Sequence, residues 1–367
     1  MILSIVFFVF AVLGAIDYLL GDRFGIGKEF KKGFMLLGDM ALSMIGMIVL
    51  APAIADFIEP VLNFTADVLH LDPSIIPASL FANDMGGTPL SVEVARDPQM
   101  GLFNGLIVAA SMGAFISFTI PFSLGVVKKE QHRFLILGLL CGVVAIPVGC
   151  FAAGLVCKLP LGALLLNLLP LILLAGIVAA GLVFCREICV KIFGWFGIFI
   201  KLLMITGLLL GMVEFLFDVT VIPGLGSVEE GALICFNASV TLCGAFPMVA
   251  IVSRLIKKPL QAVGGRMGID ETSALGIFTN LVSNSPVFGA MDKMNEKGVV
   301  LNAAFAVTGA FALGAHLAFT KVIDPSYIGP MLVLKFVSGA LALVLAWFVQ
   351  GAMAKKDNSG TEKSIEA

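Results

Sequence analysis

Apolar runs of about 20 residues recur along nearly the whole chain, and that is the length an α-helix needs to cross roughly 30 Å of hydrocarbon. No stretch is left over for a soluble domain. With 59% hydrophobic residues among 367 and a mean hydropathy of +1.06, the chain carries more apolar surface than a water-soluble core could hide. Lipid must therefore be the solvent, and each spanning backbone must satisfy its own hydrogen bonds. The expected class is all-α: a polytopic membrane protein.

The formal net charge is -2, and the 13% of residues that are charged fall mainly between the apolar runs. Without a basic footprint, nucleic-acid partners are excluded. The seven cysteines are odd in number and sit mostly inside or beside apolar spans, which fits neither a disulfide framework nor a zinc knuckle. Cys185 and Cys189 have an acidic and a basic residue between them and no histidine nearby, so they read as small core-filling residues rather than metal ligands. No metal or other cofactor is expected, since no hydrolase elbow, His-Glu-x-x-His motif or phosphate-binding glycine loop is present. Gly264-Gly265-Arg266-Met267-Gly268 follows no buried strand and reads as a flexible connection. The first apolar run starts at Met1 without a basic leader and reads as a retained helix. The polar tail, 355–367, reads as disordered.

Compared with itself, the chain repeats at an offset of roughly 197 residues, the weak internal symmetry that transporter folds carry. Phe81-Ala82-Asn83 followed by Thr88-Pro89 matches Phe278-Thr279-Asn280 followed by Ser285-Pro286. Asp39 pairs with Asn237, Gly46 with Gly244, Asp72 with Asp270, Gly14 with Gly211 and Gly101 with Gly298. The reading divides the chain into a first repeat (1–158), a linking helix and loop (159–192), and a second repeat (193–354). Long spans are expected at about 1–20, 33–57, 101–122 and 133–156, at 160–184, and at 193–217, 231–253, 299–319 and 328–350, about nine in all. Four crossings plus one joining crossing place the second half upside down relative to the first.

Basic residues collect in cytoplasmic loops. With the N-terminus outside and the C-terminus inside, Lys28, Lys31, Lys128, Lys129, Arg186, Lys257, Lys258 and Lys355 all fall on the cytoplasmic side, opposite Glu59, Asp67, Asp218 and Glu230. This holds only if the segments at about 74–92 and 270–290 enter and leave by the same face. Both are short and rich in Gly, Pro, Asn and Ser, so both are read as re-entrant, one from each side.

Candidate binding residues concentrate in those two segments: Asn83, Asp84 and Thr88 in the first, Asn280, Asn284 and Ser285 in the second. Gly86-Gly87 lets the chain leave helical geometry, and Pro89 and Pro286 remove backbone donors, which would free carbonyls for a cation. Ordinary turn chemistry is the alternative reading of each segment alone, and its recurrence in both halves argues for a binding centre. Ionisable residues inside spans are costly and so are functional candidates. Asp39 is taken as a supporting group behind the pocket together with Asn237, whereas Asp17 and Glu214 stand near span ends. Lys201 and Lys335 read as snorkelling or structurally paired, His316 as a satisfied interfacial histidine, and Asn104, Asn167 and Asn302 as bonds across helices.

On Phe81-Ala82-Asn83-Asp84-Met85-Gly86-Gly87 and Thr279-Asn280-Leu281-Val282-Ser283-Asn284-Ser285-Pro286, the sequence resembles the ethanolamine utilization permease family over nearly its full length. The resemblance implies a bacterial cytoplasmic-membrane protein, not an enzyme, whose substrate partner is ethanolamine. That substrate is a primary amine and stays mostly protonated near neutral pH, as a lysine head group with its pKa of roughly 10 does. An acidic group and amide oxygens would replace the hydration of its ammonium. An ion-coupled transporter of another small solute, an amino acid or nucleoside, and a passive channel share this architecture. Association into a homo-oligomer is left open.

Overall fold

The computed structural model describes residues 2–365; the side chains of Ile2, Val263, Met267 and residues 352–365 lie outside the description. Every regular element the chain forms among those residues is helical. In order it forms α1 (Ile2–Leu19), α2 (Gly27–Phe57), α3 (Glu59–Asp67), α4 (Ile75–Leu80), α5 (Gly87–Val94), α6 (Pro98–Phe103), α7 (Ile120–Val126), α8 (His132–Val156), α9 (Leu161–Phe184), α10 (Arg186–Phe217), α11 (Val228–Met267), α12 (Glu271–Asn280), α13 (Ser285–Gly289), α14 (Glu296–Thr308), α15 (Ala315–Ile323) and α16 (Ile328–Ile365). Between α6 and α7, Asn104–Gly113 and Phe115–Thr119 are wound with i→i+5 hydrogen bonds, so Pro98–Val126 is one continuous rod with a widened middle. The last helix, α16, runs on into the polar tail for which the composition suggests no fixed structure.

Seven helical stretches among the described residues are long and apolar enough to cross a bilayer: Gly27–Phe57, Pro98–Val126, Lys129–Val156, Leu161–Phe184, Arg186–Phe217, Val228–Arg266 and Pro325–Gly351. The nine unbroken spans expected from hydropathy become seven plus the shorter apolar α1. The corrected stretch is 299–319, which is not one helix: it breaks between Thr308 and Ala315. Hydropathy cannot see the break, because 309–314 is itself mostly apolar.

Lipid-facing surface is plain on α10, where Ile188, Ile192, Trp195, Phe199, Leu202 and Leu209 are exposed at helical spacing. The opposite face of α10 buries Met204, Gly207 and Gly211 against α2. There the two backbones nearly touch: a Cβ on Gly46 would run into the Met204 carbonyl, and one on Gly207 into the Gly46 carbonyl. Small residues permit this approach, which is how helices associate where no hydrophobic drive separates protein from solvent. Gly244 of α11 meets the Phe7 backbone of α1 in the same way, and Phe7 and Gly46 lie 197 and 198 residues before Met204 and Gly244.

The segments 72–97 and 270–295 are each tied shut at their ends. Asp72 accepts hydrogen bonds from the backbone N–H groups of Ser74 (3.0 Å), Arg96 (3.1 Å) and Asp97 (2.9 Å). Asp270 accepts from Ser273 N–H (2.9 Å), Ser273 Oγ (2.7 Å) and Asn295 N–H (2.7 Å). Burial alone would raise the Asp270 carboxyl, but these donors outweigh it and hold it below the usual carboxylate range. The two closures sit at opposite ends of α8. Gln99, beside the first, donates to the Cys157 carbonyl at 3.0 Å, and Gln131, at the start of α8, donates to the Met291 carbonyl at 2.6 Å beside the second. A helix of 25 residues separates those ends by about 37 Å.

Candidate functional site

Each tied segment is a short helix, a break, and another short helix. In the first, α4 ends at Leu80, Asn83–Met85 forms a single tight turn, and α5 starts at Gly87. Gly86 takes φ +103 there, and an added Cβ would meet Met47, so position and conformation both demand glycine. In the second, α12 ends at Asn280 and α13 starts at Ser285. Pro286 lies in the first turn of α13 and Pro89 near the start of α5, where no intrahelical donor is needed. Several backbone carbonyls at the breaks are already engaged. The Asn280 and Leu281 carbonyls accept from Phe311 N–H (3.0 Å) and Leu313 N–H (2.7 Å), and the Ala82 carbonyl accepts from Met85 (3.0 Å) and Gly87 (2.8 Å).

What remains open is side-chain chemistry. Asn83 is fully buried with neither its Oδ1 nor its Nδ2 partnered, and Asn280 Oδ1, Asn284 Oδ1, His316 Nδ1 and Thr320 Oγ1 are likewise buried without partners. Leaving a buried polar atom unpaired costs about 1–3 kcal/mol, so six in these segments and α15 mark a place built for something other than stability.

A chain of contacts joins them. Asn284 Nδ2 donates to Thr119 Oγ1 at 3.4 Å, and the neighbouring Phe118 lies edge-on to Phe311 with centroids 6.0 Å apart. Phe311 N–H holds the Asn280 carbonyl, while its ring lies 4.8 Å from the His316 ring. His316 Nε2 stands 3.9 Å from Asp84 Oδ1. Ser117 Oγ accepts from Ala82 N–H at 3.1 Å, which fastens the first break to the widened rod. Phe311 has φ +62, an outlier for an aromatic residue, and the strain is sustained where the broken helix turns toward the centre. Asp84 is 22% exposed at its side chain and so borders open space, unlike Asn83 beside it.

The eight sequence candidates separate accordingly. Asn83, Asp84, Asn280 and Asn284 belong to this centre. Thr88 is buried, but its hydroxyl already donates to the Gly105 carbonyl at 2.6 Å. Ser285 is half-buried at the start of α13. Thr88 and Asn237 both line a cavity of about 570 Å3 that also has Glu93, Glu230 and Phe319 in its wall. Asn237 is exposed there rather than behind the pocket. Asp39 is not brought to the site: it is exposed on α2, one residue and so about 100° around the helix from the buried Met40.

Two groups whose sequence context points to an interface or a structural pair lie in the interior of the fold. His316 is buried in the core rather than interfacial, and Lys335 is 1% exposed, so it does not snorkel. Its Nζ donates to the Ala110 carbonyl at 2.5 Å and interacts electrostatically with Asp84. The available signal was cost: an ionisable residue mid-span is a functional candidate by default. Asp17, by contrast, is structural. Its carboxylate accepts from the N–H groups of Phe24, Ile26 and Gly27 at 2.8–2.9 Å and fixes the start of α2. Asn104 and Asn167 bond reciprocally across helices, at 2.7 and 3.0 Å.

Lipid-facing helices around a buried centre of broken segments and unpartnered polar groups define a polytopic membrane transporter. The chain belongs to the EutH family: the family model described as "Ethanolamine utilisation protein, EutH" matches residues 1–349. It is 37% identical over 358 residues to the "Probable ethanolamine permease EutH" of Listeria monocytogenes serotype 1/2a (strain 10403S), covering 98% of this chain and 96% of that protein. To the protein of the same description from Escherichia coli (strain K12) it is 36% identical, covering 94% of this chain and 89% of the relative. The "Uncharacterized protein YxeR" of Bacillus subtilis (strain 168) is 37% identical over 348 residues. No solved structure matches the chain significantly.

Proposed function

We propose that this protein carries ethanolamine, as its ammonium ion, across the bacterial cytoplasmic membrane, with Asp84 facing the ammonium and the Asn83, Asn280 and Asn284 side chains serving the ammonium and hydroxyl. The observation that carries the reading is the set of buried amide oxygens without partners, those of Asn83, Asn280 and Asn284, together with one carboxylate at the helix breaks. An amino alcohol supplies what those groups lack: ammonium donors for the carboxylate and amide oxygens, and a hydroxyl that both donates and accepts. Family membership and the descriptions of the relatives support the same substrate.

The two tied segments are proposed to be re-entrant, entering from opposite faces, within inverted repeats. Their closures lie at opposite ends of α8, and Gly46 with Met204 and Gly244 with Phe7 form equivalent contacts, while His316 and Thr119, 197 residues apart, each meet the break of the other half, at Asp84 and Asn284. Each pair joins one half to the other. The salt bridges Lys128–Asp292 (3.0 Å) and Lys257–Glu271 (3.1 Å) put both basic loops at the second closure, proposed as cytoplasmic, with the N-terminus outside and the C-terminus inside. Single cysteines replacing Lys128 and Lys257, on a background lacking accessible cysteines, are expected to be labelled only after the cell membrane is opened. Labelling of the two from different sides would end this arrangement.

Uptake of radiolabelled ethanolamine at mildly acidic external pH tests the pocket. Asn83→Ala and Asn280→Ala each remove a hydrogen bond to a charged ligand, so each is expected to raise the half-saturating concentration about tenfold. Wild-type uptake by both well-expressed variants would reject the assignment.

A further inference from the structure

Lys335 is buried in the same part of the fold as the carboxylate proposed to face the substrate ammonium. It is among the largest fully buried side chains, and four parts of the fold contribute to its surroundings. The widened rod gives the Ala110 carbonyl and the Ser111 hydroxyl, the first break gives Asp84, α15 gives His316, and α8 gives Cys150, which lies 3.6 Å from Ser111 Oγ. The other charged or titratable groups of those elements point elsewhere. Glu296 and Lys297 occupy the first turn of α14, with Lys297 over the Trp347 ring, Lys321 donates to Thr241, and Tyr327 donates to the Gln99 carbonyl. Among the described residues the buried centre therefore holds one carboxylate, one primary amine and one imidazole, with the Cys150 thiol beside them.

With Asp84 ionised and Lys335 protonated, the centre is neutral as it stands. Adding an alkylammonium ion beside an intact Lys335 cation would leave a net positive charge in a medium of low dielectric, which is strongly unfavourable. The side-chain ammonium of Lys335 and the ammonium of ethanolamine are the same chemical group and compete for the same carboxylate. Only one of them can be charged there at a time.

We propose that Lys335 is the coupling group, so that the protein exchanges one ethanolammonium ion for one proton. This rests on the reading of ethanolamine as substrate. On the side of entry, ethanolammonium pairs with Asp84, an N–H bond of the Lys335 ammonium breaks, its electron pair stays on Nζ, and the proton passes to water on that side. On the side of release, ethanolammonium leaves and Nζ takes a proton from water there. The buried centre carries one cation throughout, so each cycle moves no net charge, and uptake follows the pH difference rather than the membrane potential.

Purified protein in liposomes, loaded and read with radiolabelled ethanolamine, tests this. Initial rates are taken after subtracting protein-free vesicles, because the neutral amine crosses lipid by itself. An inside-negative potential of about 100 mV concentrates a cation that moves alone about 50-fold. The wild type is expected to show no such accumulation, and to take up ethanolamine faster when the lumen is the more acidic side. Lys335→Met is expected to gain a potential-driven accumulation that the wild type lacks. Wild-type accumulation driven by potential without a pH difference overturns the proposal alone, and that measurement does not depend on the variant folding. Absence of counterflow in the wild type overturns the functional reading and the proposal together.

Discussion

Asp84→Asn is expected to reduce ethanolamine uptake about 30-fold or more, the largest loss for any substitution that keeps side-chain size. Removing one member of a buried charge pair costs about 2–5 kcal/mol, and every 1.4 kcal/mol is a factor of ten. Here, among the described residues, the carboxylate is the acidic group that the contacts at the helix breaks bring to the centre. The substitution also leaves Lys335 without its counter-charge, so folding has to be checked beside transport. Asp84→Glu keeps the charge and is expected to retain part of the uptake. If monodisperse Asp84→Asn protein transports as the wild type does, the ammonium is held by something else, and the site built around the first break is wrong.

The second large effect is structural. Gly46→Leu is expected to prevent recovery of monodisperse protein, because the new side chain would occupy the place of the Met204 carbonyl on α10. Overpacking of this kind costs about 1–3 kcal/mol when neighbours can yield, and more when the obstacle is backbone. The consequence extends to the site, since α2 also supplies Met47 against Gly86 at the first break. Gly38→Leu on the same helix is the control: a Cβ added there would meet no atom within 4 Å, and near wild-type thermal stability is expected. Equal melting temperatures for the two variants would show that the α2–α10 approach is looser than described.

Asn83, Asn280 and Asn284 are legible as candidate site residues because a polar, glycine- and proline-bearing stretch recurring at a fixed offset has no cheap explanation in lipid. Lys335 and His316 are not, since a lysine or histidine inside an apolar run is equally compatible with reaching an interface or reaching a core partner. Which of these happens depends on depth and neighbours, and neither is local. Asp39 fails for a related reason: a one-residue step around a helix separates the packed face from the exposed one, and periodicity in a uniformly apolar helix does not say which face is which.

Composition and the spacing of apolar runs alone determined that this chain is a helical membrane protein, because a backbone in hydrocarbon must bond to itself and only about 20 residues cover the distance. The location of the two polar breaks was equally fixed by sequence. Only the tertiary structure decided that 299–319 is two helices, that its turn binds the carbonyls of the second break, that Asp84 faces His316, and that Lys335 is buried against the Ala110 carbonyl. Those outcomes depend on contacts between residues far apart in the chain, whose energies exist only once the helices have packed.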